Sequence, residues 1–297
     1  MKILIRISIW KRPEITEVCL SGVLRLMLYS LHDIKCLCFG SEKWAKDMVE
    51  RYGKLAPFEF EFVENYPLGR KLNTGLDLAL KRDWDYMMEL GSDNLVSNKL
   101  LDLYENYYGI DLFGCDKVHF VKKGKAKLVN YNLTLMGAGR MHKRDMIERI
   151  ATNVHRVEFL QGVASKCWTY NKGDIVYMKA TDAMYHQRCG HCHIISIGHV
   201  HLWDEHLSNG LDGNATTKMI FHGATNQVVP VPIYEKDVEI VERFPYVVDI
   251  KSDVNIWKYE DLEGEKADYN LVLNEFPELN DFFRTTKRQR NILHSVS

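Results

Sequence analysis

The chain has 297 residues, of which 46 % are hydrophobic and 27 % are charged, and its formal net charge is −1. This composition is typical of a soluble globular protein, and the nearly neutral charge argues against a general binder of nucleic acids or membrane surfaces. The N-terminal stretch is too short and too interrupted by charge for a signal peptide, and no window approaches the ~20 apolar residues of a membrane-spanning helix. Because the seven cysteines lack disulfide-framework spacing, we expect a cytoplasmic protein.

Strand-like and helix-like segments alternate through the first hundred residues. Continuous or alternating apolar residues predict strands at Ile3–Ile9, Ile34–Phe39, Phe58–Val63 and Trp84–Leu90. Helical spacing predicts helices at Glu14–Leu31, from a Ser41 cap through Tyr52, at Leu72–Leu80 and at Lys99–Tyr108. The alternation predicts an α/β protein with an open sheet that helices cover on both faces.

The second half of the chain is less regular. Its predicted elements are strands at Leu112–Val121 and Leu128–Leu135, a helix at His142–Ile150, a loop and then a helix from Leu202, and a late edge strand at Val247–Ile256. Residues 151–201, rich in His and Cys, are interpreted as an insertion or lid. We therefore expect one domain over residues 1–260 and a C-terminal extension of short helices over residues 261–297.

Polar residues follow the first and the fourth predicted strands. Trp10-Lys11-Arg12 comes after the first strand, and Gly91-Ser92-Asp93-Asn94 comes after the fourth. Ligands of open α/β sheets bind outside the carboxyl ends of the strands. The two stretches are therefore predicted to lie together at a binding edge.

A further pattern precedes the fourth strand. The spacing Lys71-x-Asn73-x-Gly75-x-x-x-Ala79, followed by a strand that ends in Gly91-Ser92-Asp93-Asn94, resembles the family-2-like glycosyltransferases of the GT-A fold. Gly137–Met141 looks like the acceptor-side segment of that family, and residues 203–212 look like the part that supplies its catalytic carboxylate. The resemblance covers residues 1–150 and 202–260 and implies an open mixed sheet flanked by helices, with 151–201 inserted.

The resemblance also implies an activity. A sugar would pass from a nucleotide-diphosphate donor to an acceptor hydroxyl with inversion, as in hexosyltransferases, and Mn²⁺ or Mg²⁺ would stabilise the leaving diphosphate. Asp93 is the expected metal ligand. The residues expected to contact the donor are Arg12, Lys71, Asn73, Ser92 and Asp93. Asp212 is the expected base for the acceptor hydroxyl, with Asp204 and Glu205 as rivals, and Arg140 is a candidate contact for phosphate or acceptor.

One position departs from the family pattern. Gly91 stands where the family's Asp-x-Asp motif has its first carboxylate, so Asp93 stands alone. Magnesium retains several waters, which allows one carboxylate, water and the diphosphate to complete its shell. A histidine such as His199, His201 or His222 is an alternative source of the missing ligand. Weak metal use or an inactive enzyme is the other alternative.

A second group of potential metal ligands lies in the predicted insertion. Cys189, His191, Cys192 and His193 contain the Cys-x-x-Cys spacing that binds zinc. A structural zinc site usually has two such pairs, so buried thiols and surface histidines are the alternative interpretation.

Two other functions fit the same sequence. A nucleotidyltransferase on a related sheet would have a glycine-rich loop after the first strand, whereas residues 10–13 contain no glycine. A noncatalytic protein that binds nucleotide sugars or takes part in assembly would explain the missing carboxylate at Gly91. The sequence does not distinguish a glycan, a protein or a modified base as the acceptor.

Overall fold

The computed structural model describes residues 1–65, 68–105, 108–109, 112–115, 117–130, 137–151, 193–197, 217–222, 227–232, 243–252 and 258–284. Its strands are β1 Lys2–Ser8, β2 Asp33–Gly40, β3 Phe58–Phe62, β4 Tyr86–Gly91, β5 Asn94–Val96, β6 Leu112–Cys115, β7 Lys117–Lys122, β8 Lys125–Asn130, β9 Arg140–Lys143, β10 His193–Ile197, β11 Thr217–His222, β12 Gln227–Pro232, β13 Val247–Ile250 and β14 Glu265–Lys266. Its helices are α1 Pro13–Tyr29, α2 Lys43–Gly53, α3 Leu68–Leu80, α4 Asn98–Glu105, α5 Arg144–Ala151 and α6 Tyr269–Glu275, with further helical residues at 277–284.

The main sheet is mixed and has the strand order β12-β11-β10-β6-β9-β4-β1-β2-β3. Strand β1 pairs in parallel with both β2 and β4, and β2 pairs in parallel with β3. The chain therefore moves outward from β1 to β3 and then returns to the other side of β1 with β4. The carboxyl ends of β1 and β4 form the topological switch point of the sheet.

Helices cover both faces of this sheet, as predicted. Successive residues of a strand point to opposite faces. Accordingly, Ile3 and Ile5 belong to the core shared with α1, α2 and α4, whereas Leu4 belongs to the core shared with α3 and α5. Among the described residues, no helix is long and apolar enough to cross a membrane.

A second sheet has the order β14-β8-β7-β13-β5. The prediction of one strand over Leu112–Val121 is wrong, because β6 joins the main sheet and β7 joins the second. Strand β13 is not the predicted edge strand: it lies between β5 and β7, and all four of its residues are buried. The one polar residue of this strand, Asp249, is therefore buried together with its apolar neighbours.

Two regions that were predicted as loop and helix contain strands. Arg140 was expected in a loop and His142 in a helix, but both lie in β9, which pairs with β4 and β6. The sequence predicts a loop and then a helix over residues 202–219, whereas the described residues 217–222 form β11, in which Phe221 and Ile220 pair with Val228 and Val229 of β12. Within the predicted insertion, the described residues 193–197 form β10 of the main sheet.

The described C-terminal residues pack on the second sheet. Strand β14 pairs with β8, and Val272, Phe276 and Leu279 are completely buried in a core with Val248 and Ile250. Polar contacts reinforce this packing, since Arg25 of α1 binds Glu278 at 2.7 Å. Residues 258–284 thus complete the hydrophobic core of the second sheet.

This packing makes a stability prediction. Phe276→Ala should lower the free energy of unfolding by about 3–5 kcal/mol, because it removes a fully buried aromatic side chain and leaves a cavity. Leu271→Ala in helix α6, which ends just before Phe276, is the control, since Leu271 is 37 % exposed and its loss should cost much less. Urea denaturation of both variants measures the difference. Equal stability of the two would show that the C-terminal segment is not part of the cooperative core.

Candidate functional site

The site lies where the chain leaves the main sheet for the second sheet. Strand β4 ends at Gly91 and β5 begins at Asn94, so Ser92 and Asp93 form the junction. The carbonyl of Asp93 accepts a 2.8 Å hydrogen bond from the amide of Ile250, and Asn94 pairs with Asp249 on β13. The backbone of Asp93 is thereby fixed by both sheets.

As predicted, the stretches that follow β1 and β4 lie together, and Arg12 makes the contact. Its Nη1 lies 2.6 Å from Oδ2 of Asp93, and its Nη2 lies 3.5 Å from Oγ of Ser92. Lys11 and Arg12 both adopt left-handed backbone conformations, with φ of 56° and 55°. Non-glycine residues rarely adopt this conformation, and it concentrates at functional sites. The turn places Arg12 directly before the first turn of α1, which begins at Pro13.

Steric crowding explains the glycine at position 91. A Cβ added there would lie 2.7 Å from Oδ1 of Asp93 and 2.7 Å from Oδ1 of Asn94. The Asn94 side chain also accepts a 2.7 Å hydrogen bond from the amide of Gly91. Side chains of the junction thus occupy the space that the first carboxylate of an Asp-x-Asp motif would need.

A second carboxylate reaches the junction from β13. Asp249 is 7 % exposed and Lys251 is 8 % exposed, and Lys251 Nζ lies 3.0 Å from Oδ1 of Asp249. Burial, together with the negative charge of Asp93, raises the pKa of Asp249 to about 7, against the opposing effects of Lys251 and Arg12. We refer to Arg12, Asp93, Asp249 and Lys251 as the junction cluster.

Sequence reasoning missed two of the four members of the junction cluster. The sequence predicts an edge strand over Val247–Ile256 and assigns no chemistry to Asp249 or Lys251. The available signal was an acid and a base two residues apart within the run Val-Val-Asp-Ile-Lys, since charged residues in an otherwise apolar strand are rarely buried without partners. Their proximity to Asp93 depends on pairing between strands that are distant in sequence.

Lys71, expected to contact the donor, binds the protein backbone. Its side chain is buried, and Nζ donates to the carbonyl of Ile9 at 2.7 Å and to Oδ1 of Asn65 at 2.6 Å. Burial lowers the pKa of Lys71 to about 8. The amine thus ties the start of α3 to the end of β1, next to the turn that carries Arg12.

Arg140 belongs to a buried charge network beneath the site. It is 2 % exposed and binds Oε2 of Glu89 at 2.6 Å, while Arg6 binds Oε1 of the same carboxylate. The Glu89 side chain is 18 % exposed. The charges of Arg6 and Arg140, together with His142, hold its pKa well below its usual range against the opposing effect of burial. Because these residues are opposite one another on β1, β4 and β9, the network ties three central strands together.

The remaining sequence candidates fall largely outside the described residues. These are the candidate bases Asp204, Glu205 and Asp212 and the possible metal ligands Cys189, His191, Cys192, His199 and His201. The backbones of His193 and His222 are described and lie directly opposite each other on β10 and β11. Asn73 lies in α3, with its side chain outside the described part.

The described residues do not form a ready metal site. Within the ranges given above, no group of three or more His, Cys, Asp and Glu side chains is placed to hold a metal ion. The two carboxylates at the junction are paired with Arg12 and Lys251. A cation at Asp93 would therefore displace Arg12 or depend on ligands from the donor and from water.

Comparisons with known proteins give only weak likenesses. No family model and no curated protein sequence matches the chain. A crystal structure of S. aureus TarS 1–349 matches with a TM-score of 0.37 and 11 % identity, over 50 % of this chain and 49 % of that chain. A crystal structure of S. aureus TarS matches with a TM-score of 0.35 and 10 % identity, over 50 % of this chain and 30 % of that chain. Likeness at this level carries no argument about activity.

The crowding at Gly91 makes a prediction. Gly91→Ala should destabilise the protein by about 1–3 kcal/mol, since the new methyl group would displace Asp93 or Asn94. Gly137→Ala is the matched control, because a Cβ there meets nothing within 4 Å among the described residues. Thermal or urea denaturation measures both variants. A neutral Gly91→Ala would show that the junction accommodates a Cβ at this position and that crowding does not explain the glycine.

The raised pKa of Asp249 makes a pH prediction. Between its ordinary pKa of 3.8 and about 7, the folded protein binds more protons at this residue than the unfolded chain does. This residue's contribution to the free energy of unfolding therefore falls as the pH rises through that window. Relative to Asp249→Asn, the wild type should lose about 1 kcal/mol or more from pH 4 to pH 7. Parallel stability curves for the two proteins would contradict this.

Proposed function

We propose that the protein binds a nucleotide-diphosphate sugar at the carboxyl ends of β1 and β4 and transfers the sugar to an acceptor hydroxyl. The observation that carries the proposal is the Arg12–Asp93 ion pair at the switch point of the main sheet. Switch points are the general ligand sites of open α/β sheets. The family resemblance of the sequence supplies the reaction type.

Several features of this edge suit a nucleoside diphosphate. Helix α1 starts here, and the N-terminus of a helix attracts anions through its dipole and its unpaired amides. Arg12 adds a guanidinium, which matches phosphate geometry. Trp10 is 46 % exposed on the same turn and offers an aromatic surface for a base. Residues 10–13 thus supply a helix N-terminus and a guanidinium for phosphate, and an aromatic surface for a base.

The proposed chemistry follows from the leaving group. Negative charge grows on the diphosphate as the glycosidic bond breaks, and cationic groups at the junction stabilise it. Mn²⁺ or Mg²⁺, if bound at Asp93, would supply Lewis-acid stabilisation. Asp212 is the proposed base that removes the acceptor proton, which makes the transfer inverting.

A noncatalytic binding protein remains the second candidate. The observations that favour it are that Asp93 is paired with Arg12 and that a Cβ at position 91 would crowd the side chains of Asp93 and Asn94. Such a protein would bind the donor without turning it over. The nucleotidyltransferase alternative has no supporting feature at the β1 turn, where Lys11 and Arg12 take the place of a glycine-rich loop.

Calorimetric titration with UDP and GDP, with and without Mn²⁺, tests the binding site. Arg12→Ala should weaken nucleoside diphosphate binding about tenfold or more, because a charge-assisted contact is removed. Arg243→Ala, which removes an exposed arginine that is paired with Glu265 at 3.1 Å, is the matched control and should leave affinity unchanged. Absence of binding by the wild type, or equal affinity of both variants, would refute the site.

Turnover in the same experiment separates enzyme from binding protein. With UDP- and GDP-sugars and a panel of hydroxyl acceptors, Asp212→Asn should retain nucleotide affinity and lose about 10²–10⁴ in rate. Binding without donor hydrolysis or transfer by the wild type would favour the noncatalytic candidate.

A further inference from the structure

Both oxygens of the Asp93 carboxylate lie against other groups of the protein. Oδ2 accepts the 2.6 Å hydrogen bond from Nη1 of Arg12. Oδ1 lies on the side of β4, 2.7 Å from the position that a Cβ of residue 91 would take. The Asp93 side chain as a whole is 13 % exposed. A divalent cation at Oδ2 would therefore compete with Arg12 for the same carboxylate.

The backbone is fixed on both sides of this ion pair. Arg12 has a φ of 55°, and its carbonyl accepts a 3.0 Å hydrogen bond from the amide of Thr16 in α1. The carbonyl of Asp93 accepts the 2.8 Å hydrogen bond from the amide of Ile250. Because both backbones are held, the fold itself brings the guanidinium and the carboxylate together.

The guanidinium of Arg12 has donors to spare for a ligand. It carries five N–H groups in one plane, in a geometry that matches phosphate oxygens. Among the described residues, Asp93 accepts from Nη1, and Oγ of Ser92 lies 3.5 Å from Nη2. Nε and the second hydrogen of each Nη are left for phosphate. Lys11 and the N-terminus of α1 add positive charge at the same turn.

We propose that Arg12 takes the place of the divalent cation at this site, and that Asp93 orients the guanidinium and is not a metal ligand. The inference rests on the proposed function and deepens it, since it states which group stabilises the leaving diphosphate. When the bond between sugar and diphosphate breaks, its electron pair stays on the diphosphate oxygen, and the N–H groups of Arg12 stabilise that charge. The acceptor oxygen forms the new bond to the sugar, and its proton passes to the proposed base Asp212.

The glycine at position 91 agrees with this exchange. Two neighbouring carboxylates carry a negative excess that a divalent cation balances, whereas one carboxylate is balanced by one guanidinium in a charge-assisted pair. The crowding of a Cβ at position 91 by Asp93 and Asn94 favours the arrangement with a single carboxylate. Loss of the first carboxylate and recruitment of Arg12 are thus expected to occur together.

Calorimetric titration with UDP and GDP, in EDTA and in Mn²⁺, tests the proposal. The wild type should bind no more tightly in Mn²⁺ than in EDTA, and the same should hold for Asp93→Asn. Arg12→Ala should bind about tenfold more weakly in EDTA. Mn²⁺ should recover part of that loss, because Arg12 no longer occupies the Asp93 carboxylate. Wild-type affinity that is several-fold higher in Mn²⁺ would overturn the proposal.

Electron paramagnetic resonance of Mn²⁺ gives a second readout that is independent of turnover. In the presence of UDP, the wild type and Asp93→Asn should bind the same amount of Mn²⁺. Arg12→Ala should bind more, and the double variant Arg12→Ala with Asp93→Asn should lose that gain. A wild type that binds more Mn²⁺ than Asp93→Asn would overturn the proposal, as would an Arg12→Ala variant that binds no more than the wild type. Should Arg12→Ala not fold, Arg12→Gln removes the charge, keeps a polar side chain at the turn and gives the same comparisons.

The outcomes separate this inference from the proposed function. If the wild type binds neither UDP nor GDP in either condition, the proposed function fails, and the inference fails with it. If the wild type binds them and does so more tightly in Mn²⁺, the proposed function stands, and only the replacement of the cation by Arg12 fails.

Discussion

The passage of the chain from β4 to β5 is the constraint on which the site depends. Only Ser92 and Asp93 separate a strand of the main sheet from a strand of the second sheet. Because both flanking residues are paired in ladders, Asp93 has little freedom to move. The same tight passage brings the Asp93 and Asn94 side chains against Gly91. The same turn therefore fixes the position of the Asp93 carboxylate and favours glycine, in place of a second carboxylate, at position 91.

The charges around this turn are balanced by residues from three separate parts of the chain. Arg12 arrives from the end of β1 in a left-handed conformation, which costs about 1–3 kcal/mol and persists only when surrounding contacts impose it. Lys71 fixes the same turn from below through the carbonyl of Ile9. Asp249 lies on β13, and Lys251 directly follows that strand. Contacts within the protein thus hold these charged side chains in place at the turn.

The sequence predicted the first hundred residues well because their signals are local. Apolar runs, helical spacing and polar strand ends placed β1 to β4, α1 to α4 and the meeting of Arg12 with Asp93. Features that depend on pairing between distant segments were not predictable in this way. The split between β6 and β7, the central position of β13 and the burial of Arg140 against Glu89 all follow from which strands become neighbours. Gly91 was recognised as a departure, but its steric cause is a property of the folded turn.

The most direct measurement is a crystal structure with a bound nucleoside diphosphate and Mn²⁺, with anomalous scattering to locate the metal. The account expects the diphosphate at the carboxyl ends of β1 and β4, within hydrogen-bond distance of Arg12 and next to the start of α1. A manganese peak beside Asp93 would add metal dependence to the proposed function. A diphosphate bound away from β1 and β4, with the Arg12–Asp93 pair untouched, would contradict the central claim.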